Sequence, residues 1–178
     1  MGERVNVDQF RLAMRSLAGA VNIVSTAHSG HRYGLTATAV CSATADPPSV
    51  LICLNRVTST HGAVVKSGVF CVNVLRSEDH ELSTAFAGAQ AGEARFRARD
   101  WTHLATGAPV LADALASFDC RVVKTLEHGT HTVFLGEVES ILIGKKGKPL
   151  LYAAGQYAKL ASLAHGEALP EGLDYWGF

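Results

Sequence analysis

Hydrophobic residues recur along this chain with two different periods. Near the start the period is helical: Phe10, Met14 and Leu17 share one side and Arg11 and Arg15 the other. The spacing predicts an amphipathic helix over residues 7–19, with Gly19 as its stop. From residue 21 the pattern becomes strand-like. Residues 21–27 and 33–41 predict a hairpin around the turn His28-Ser29-Gly30-His31-Arg32. Asp46-Pro47-Pro48 must then be a turn, because two prolines remove two N–H donors from any ladder. Residues 49–54 read as a buried strand, 59–66 as a short helix capped by Thr58 or Ser59, and 69–75 as a strand. Residues 77–86 predict a second helix, capped by Ser77, with Glu78 and Asp79 suited to its first turn. Residues 88–99 read as a mobile, charged loop or short helix.

The second half turns to strands. Over residues 115–126, Ala116, Phe118, Cys120 and Val122 alternate with Ser117, Asp119 and Arg121, which predicts one apolar and one solvated face. Residues 130–143 predict another long strand, 144–149 a turn, 150–153 a returning strand and 156–163 a last helix. Seven or eight strands with three or four short helices, and no regular strand–helix alternation, argue against a parallel doubly wound sheet. The expected class is mainly β (α+β), an antiparallel barrel with short flanking helices. Residues 1–164 are expected to form one domain. Residues 165–178, ending Tyr175-Trp176-Gly177-Phe178, are expected to form a C-terminal arm, docked on a partner subunit or frayed.

Composition narrows the function classes. A chain of 178 residues, 48% hydrophobic and 18% charged, has enough apolar material for its own core. Its 16 Lys and Arg balance 16 Asp and Glu, so no electrostatic footprint for nucleic acid is present. Lys145-Lys146-Gly147-Lys148 reads as a solvated hairpin tip. A neutral surface also permits self-association, since long-range repulsion is weak. The four cysteines form no C-x-x-C pair, the first residues lack the apolar core of a signal peptide, and no apolar run reaches the length of a membrane span. A cytoplasmic protein with reduced thiols and no membrane partner is expected.

Several chemistries are not supported. There is no G-x-G-x-x-G, no G-x-x-x-x-G-K-[ST], no H-E-x-x-H and no G-x-S-x-G. His28/His31 and His128/His131 lie in turn or strand contexts, where an i,i+3 spacing splits the faces, so no metal site is expected. What remains is a run of small and hydroxyl residues, Thr36, Ala37, Thr38 and Ala39, followed by Cys41 and Ser42. A flat ring needs such a wall, because small side chains let backbone N–H groups approach its polar edge. Taken alone, the same run fits a strand packed under a helix. A second set, Asn55 and Thr58-Ser59-Thr60, stands where a strand meets a helix. There, hydroxyls and free N–H groups can cradle a phosphate, or simply cap the helix.

The ordered series is more specific than either set. Gly34-Leu-Thr-Ala-Thr-Ala-Val-Cys-Ser42, Asp46-Pro-Pro48, Leu51-Ile-Cys-Leu-Asn55, Ser59-Thr60 and Phe70-Cys-Val-Asn-Val-Leu75 follow one another. Ala85-Phe86, Arg95-Phe96, His131-Thr-Val-Phe-Leu-Gly-Glu-Val138, Pro149-Leu-Leu-Tyr152 and Tyr157 complete it. Over residues 8–160 the chain resembles the flavin reductase family of two-component monooxygenases. The resemblance implies a split β-barrel homodimer that binds FMN or FAD, with NADH or NADPH passing a hydride to the flavin. It implies that Thr36 to Ala39 line the ring, and Cys41 and Ser42, which continue the same run, are candidate flavin contacts with them. Asn55, Ser59 and Thr60 hold the ribityl-phosphate arm, Arg95 and Phe96 sit in a loop closing over the flavin, and His131 and Tyr157 stand near the nicotinamide. His131 is the candidate catalytic residue.

Two positions depart from the family pattern. Thr130 precedes His131 where the family often has Asp, and Gln156 stands where it often has a basic residue. Both lie on the nicotinamide side. The leading expectation is a reductase that hands diffusible reduced flavin to a partner monooxygenase. Two others stay open: a flavoprotein that keeps its flavin and reduces another acceptor such as a corrinoid cobalt, and a non-enzymatic flavin-binding or electron-carrier protein.

Overall fold

A computed structural model describes residues 5–90 and 92–161. These residues are mostly antiparallel β-structure with three α-helices. Its elements are α1 (Val7–Met14), β1 (Gly19–Ala20), β2 (Asn22–His28), β3 (His31–Ala37), β4 (Val40–Ala45), β5 (Pro48–Asn55), α2 (Ser59–Ser67), β6 (Val69–Val74) and α3 (His80–Thr84). There follow a π-helical turn (Ala85–Ala89), a 3-10 turn (Gly92–Phe96), β7 (Trp101–His103), β8 (Pro109–Leu111), β9 (Ala116–His128), β10 (His131–Ile143), β11 (Leu150–Ala153) and β12 (Gln156–Lys159). Among the described residues twelve strands thus replace the seven or eight expected. Besides β4, split from the strand expected over 33–41, the extra ones are short pieces of two to four residues with too few positions to show a period.

Seven strands form the main sheet, in the order β3-β2-β6-β9-β10-β5-β4, every pairing antiparallel. Its two edge strands, β3 and β4, are consecutive in the chain and joined only by Thr38 and Ala39. Three Cα steps span at most about 11 Å, so the sheet must curl until its edges approach there. β3 and β4 do not pair with each other, and the curl stays open along this seam. The single strand expected over residues 33–41 is therefore two. The chain turns tightly between them, with Val40 N–H donating to the Thr38 carbonyl at 2.9 Å.

The curled sheet buries Val24, Ile52, Leu54, Phe70, Val72 and Phe134, with Val64 of α2 packed among them. β2 is buried on both faces. Its other face joins Leu75, Leu82, Phe86, Phe96 and Leu111 in a second cluster against Trp101. The hairpins turn where glycine or a tolerant neighbour accepts positive φ: Ser29 and Gly30 join β2 to β3, and Gly129 opens the turn between β9 and β10.

Four further expectations are corrected. α1 stops at Met14, and Gly19 instead begins β1, which pairs with Leu151 and Tyr152. The second helix starts at His80 rather than at Ser77. Asp79 is its N-terminal flank and spends its carboxylate on the Arg76 N–H and on Arg99, while the Ser77 hydroxyl bonds Glu78. The helix expected over 156–163 is strand β12 over its first four residues, and residues 162 and 163 lie outside the described residues. Ala, Lys and Leu favour a helix locally. Ala154 and Gly155, at φ 52° and 82°, instead turn the chain back so that Tyr157 lies opposite Tyr152. Finally, the polar face of β9 is not solvated at its start. Ser117 and Asp119 are fully buried, the first bonded to Asn73 and the second to Thr106. The proposed arm, residues 165–178, lies outside the described residues.

Candidate functional site

The seam between the edge strands opens on a cavity of about 300 Å³. Leu35, Thr36, Ala37, Thr38 and Ala39 form one wall, Cys53, Leu54 and Asn55 of β5 another, with Thr58, Phe86, Ala87 and His131 completing it. The fold explains why distant residues meet. Asn55 lies opposite His131 in the β5–β10 ladder, and the Cys53 N–H donates to the Ala39 carbonyl at 3.1 Å. Among the described residues β3 is an edge strand, so one side of its backbone has no ladder partner there. Apart from the Gly34 carbonyl, which accepts from Arg95, the N–H and C=O groups on that side can meet a planar ligand with donors and acceptors on its rim.

Glycine at position 34 has a steric cause. A Cβ there would stand 2.8 Å from the Phe86 ring and 3.3 Å from the Val24 carbonyl oxygen. Its absence lets Phe86 lie against β3 and reach the cavity. The Gly34 carbonyl also accepts from Arg95 Nη1 at 2.6 Å. Arg95 Nη2 donates to the Gln90 carbonyl at 2.8 Å, and its guanidinium lies over Phe86 at 5.6 Å.

A second cavity of about 270 Å³ adjoins the first, since Thr58 lines one and its neighbour Ser59 the other. His31, Arg32, Tyr33, Gly34, Gly92, Glu93 and Arg95 complete its lining. Arg32 is ion-paired with Glu93 and lies over the Phe96 ring at 4.6 Å. Between the two cavities stands the start of α2. Thr58 caps it, its Oγ1 accepting from the His61 N–H at 3.2 Å. Ser59 and Thr60 occupy the first turn, where backbone N–H groups have no acceptor within the helix and the dipole favours an anion.

Of the residues expected from sequence, Thr36, Ala37, Thr38, Ala39, Asn55 and His131 line the first cavity, and Ser59 and Arg95 the second. The others stand apart. Cys41 and Ser42 are exposed on β4 and line neither cavity. Thr60 is buried beneath α2, and Phe96 is buried in the core against Phe86 and Trp101. Tyr157 reaches α3 instead: its hydroxyl donates to Ser83 Oγ at 2.9 Å. The same serine's carbonyl accepts from Thr36 Oγ1 at 2.6 Å, so Tyr157 connects to the cavity wall through Ser83.

The position before His131 has an answer in the geometry. Thr130 Oγ1 lies 2.8 Å from His131 Nδ1, so a hydroxyl fixes that ring nitrogen where a carboxylate was missing, without adding charge. Residues to which sequence reading gave no role in the site are Leu35, Cys53, Leu54, Phe86 and Ala87. Local pattern marks them as core or strand, and only the long-range topology turns them toward the seam.

The buried thiols are chemically quiet. Burial pushes the Cys120 thiol up to about 12, and burial followed by the Asp119 carboxylate holds the Cys71 thiol well above its ordinary value.

Comparison with known proteins places this geometry. A family model described as flavin reductase like domain matches residues 14–161. The chain is 46% identical over 158 residues, 89% of its length and 92% of the relative's, to FMN reductase (NADH) RutF 2 of Methylorubrum extorquens. Among solved structures, a flavin reductase from Haemophilus somnus superposes with a TM-score of 0.85 at 38% identity, covering 88% of this chain and all of the other. BorF, the flavin reductase component of a bacterial two-component tryptophan halogenase, gives a TM-score of 0.81 at 26% identity, covering 89% and 100%.

Proposed function

The chain belongs to the flavin reductase-like family, and from that premise we propose that it is an NADH-dependent FMN reductase whose flavin lies along the seam. One observation carries the reading. The small-residue wall Thr36 to Ala39, Asn55 and His131 share one cavity, and the start of α2 stands at its border.

The residues present fit a flavin. Ala37, Thr38 and Ala39 leave room for a flat ring, and the unpaired side of β3 offers hydrogen-bonding groups to its rim. Thr58 and Ser59 at the start of α2 fit the phosphate, with Arg95 close by in the adjoining cavity. Phe86 supplies an apolar side to the first cavity. His131 is exposed at the seam, with Nδ1 engaged by Thr130 and Nε2 left for a ligand such as the nicotinamide carboxamide. Flavin and nicotinamide supply the hydride chemistry themselves. The chain's residues stack, orient and exclude water, which is why no nucleophile or carboxylate pair is needed.

The proposed state is a split-barrel homodimer. α1 buries none of its residues, and Phe10, Leu12, Met14 and Leu17 are all exposed. A groove of about 720 Å³ runs between α1, Tyr152 and Thr38–Ala39, so an apolar surface reaches the seam itself. The outer half of β9 exposes Val123 and Leu126 as well. A second copy covering these faces would close the flavin cavity from outside. Reduced flavin would then leave for a partner monooxygenase; BorF is likewise the flavin reductase component of a two-component system.

The test is an anaerobic titration of the purified chain with FMN, adding NADH and then NADPH in separate runs, and repeating with FAD. Loss of the oxidised-flavin absorbance with NADH and FMN is expected over many turnovers per chain. No bleaching with any of the four pairs would end the reading. Bleaching of one equivalent of retained flavin, with none of the added flavin turned over, would replace it by a carrier or by a reductase of another acceptor.

A further inference from the structure

His61 sits in the first turn of α2 and is only 8% exposed. Its backbone N–H donates to the cap residue Thr58 at 3.2 Å. Its ring nitrogen Nε2 lies 2.9 Å from Thr132 Oγ1 on β10, and the ring meets Phe134 edge-on with centroids 5.4 Å apart. One residue is thus tied through its backbone to the start of the helix and through its ring to the sheet.

What lies at each end of this tie is the site. At the helix end stand Thr58 and Ser59, which border the two cavities. At the sheet end, Thr132 follows His131 directly and pairs with Leu54, beside the His131–Asn55 pair. Ala63 and Val64 pack α2 on the sheet, Ser67 at its far end lies 2.9 Å from Thr26 Oγ1 of β2, and the cap residue Thr58 donates to the Asn55 carbonyl at 2.8 Å. Neither of those bonds reaches β10, and the short, directional bond between the buried His61 and Thr132 is what ties the first turn of α2 to that strand.

We infer that His61 is a positioning residue: its bond to Thr132 fixes the phosphate-facing start of α2 against the His131 end of β10. It touches neither flavin nor nicotinamide. Its effect is on flavin affinity, through the placement of the N–H groups of Ser59 and Thr60. The inference rests on the proposed flavin reading.

The test compares full-length His61→Leu, His61→Gln, Thr132→Val and the Leu/Val double variant. His61→Leu and Thr132→Val should each weaken FMN binding about tenfold, the scale of one lost buried hydrogen bond, with the Michaelis constant for NADH and kcat at saturating FMN within about twofold of the parent. The double variant should be no worse than the singles, because both remove the same bond. Gln carries an amide near the position of Nε2 and should restore affinity to within about threefold.

A second reading needs no flavin: amide exchange over residues 58–63 should quicken in Thr132→Val and return toward the parent rate in His61→Gln. Should His61→Leu not fold, Thr132→Val and His61→Gln decide alone. FMN affinity within twofold of the parent in Thr132→Val, or equal losses in His61→Gln and His61→Leu, would overturn the inference. If the parent itself neither binds nor reduces FMN, the flavin reading falls, and the exchange rates still decide whether the tie holds the helix.

Discussion

Two regions of this molecule are built from the same kinds of residue and end in opposite states. One is the buried knot around Asn73. Its Nδ2 donates to the Ile23 carbonyl and to Ser25, and its Oδ1 accepts from the Leu111 N–H at 2.8 Å and from Ser117. Ser25 in turn donates to the Pro109 carbonyl at 2.5 Å. The other is the seam, where Thr38, Ala39 and Asn55 border open space and, among the described residues, β3 has no strand neighbour on one side. Both are Ser/Thr/Asn-rich strand segments. In the knot each polar group is consumed by another part of the chain, whereas the seam keeps capacity for something else. Hydrogen-bonding residues mark a binding site only where the fold leaves them unsaturated.

The comparison predicts that damage to the two regions will read out differently. The largest effect belongs to the knot. Asn73→Ala strands the Leu111 N–H and the Ser117 hydroxyl in a region with no exposure and takes a donor from Ser25, so a loss of about 3 kcal/mol or more is expected in urea denaturation. Flavin reduction should fall only in step with the folded fraction. A stable Asn73→Ala protein with impaired flavin affinity would erase the distinction.

Gly34→Ala comes next and strikes where the two kinds of region touch. The new methyl must displace Phe86, which belongs both to the core and to the cavity wall. Overpacking of this kind costs about 1–3 kcal/mol. Unlike Asn73→Ala, it should also weaken flavin binding in protein that remains folded, measured by titration well below the melting temperature. Ala39→Phe then isolates the seam. Ala39 is exposed and lines the cavity, so stability should change by about 0.5 kcal/mol or less while flavin affinity drops about tenfold or more.

How legible this was in the sequence follows the same division. Alternation and turn residues marked most long strands, and Thr58 was readable as a cap because a hydroxyl before a helix has few other uses. The ordered motifs brought Thr36 to Ala39, Asn55 and His131 into one expected pocket, and the cavity contains them all. What sequence could not show was closure by distant partners. Ser117 and Asp119 read as solvated because alternation reports which residues share a face, not whether β8 and Thr106 cover it. Phe96 read as part of a lid, yet Phe86 and Trp101, ten and five residues away, enclose it. β12 read as helix because its pairing with β11 depends on two positive-φ residues, one of them alanine.

The smallest expected effect tests the tie between the two kinds of region, and its sign follows from linkage. Burial, then Arg56, lower the pKa of His61, while Glu127 opposes them; Arg56 and Glu127 form an exposed ion pair at 3.3 Å. Above the ordinary imidazole value of about 6.5 the ring is neutral in both folded and unfolded chains, and the contribution of this residue is fully present. As pH falls through that value the unfolded chain takes up the proton first. Stability is then lost until the lower folded pKa is reached, below which no further change comes from His61. Unfolding of the parent and of His61→Gln should therefore be compared between about pH 7.5 and about pH 5.5, a range that brackets the ordinary value. The variant should lose less stability than the parent on acidification, since glutamine keeps a hydrogen-bonding group but takes no proton. Glu127→Gln should act the other way, removing the one charge that favours the imidazolium and steepening the parent's loss. Parallel profiles for all three proteins would mean that the ring beneath α2 feels water as a surface histidine does, and that the start of the helix is no more closed than the seam beside it.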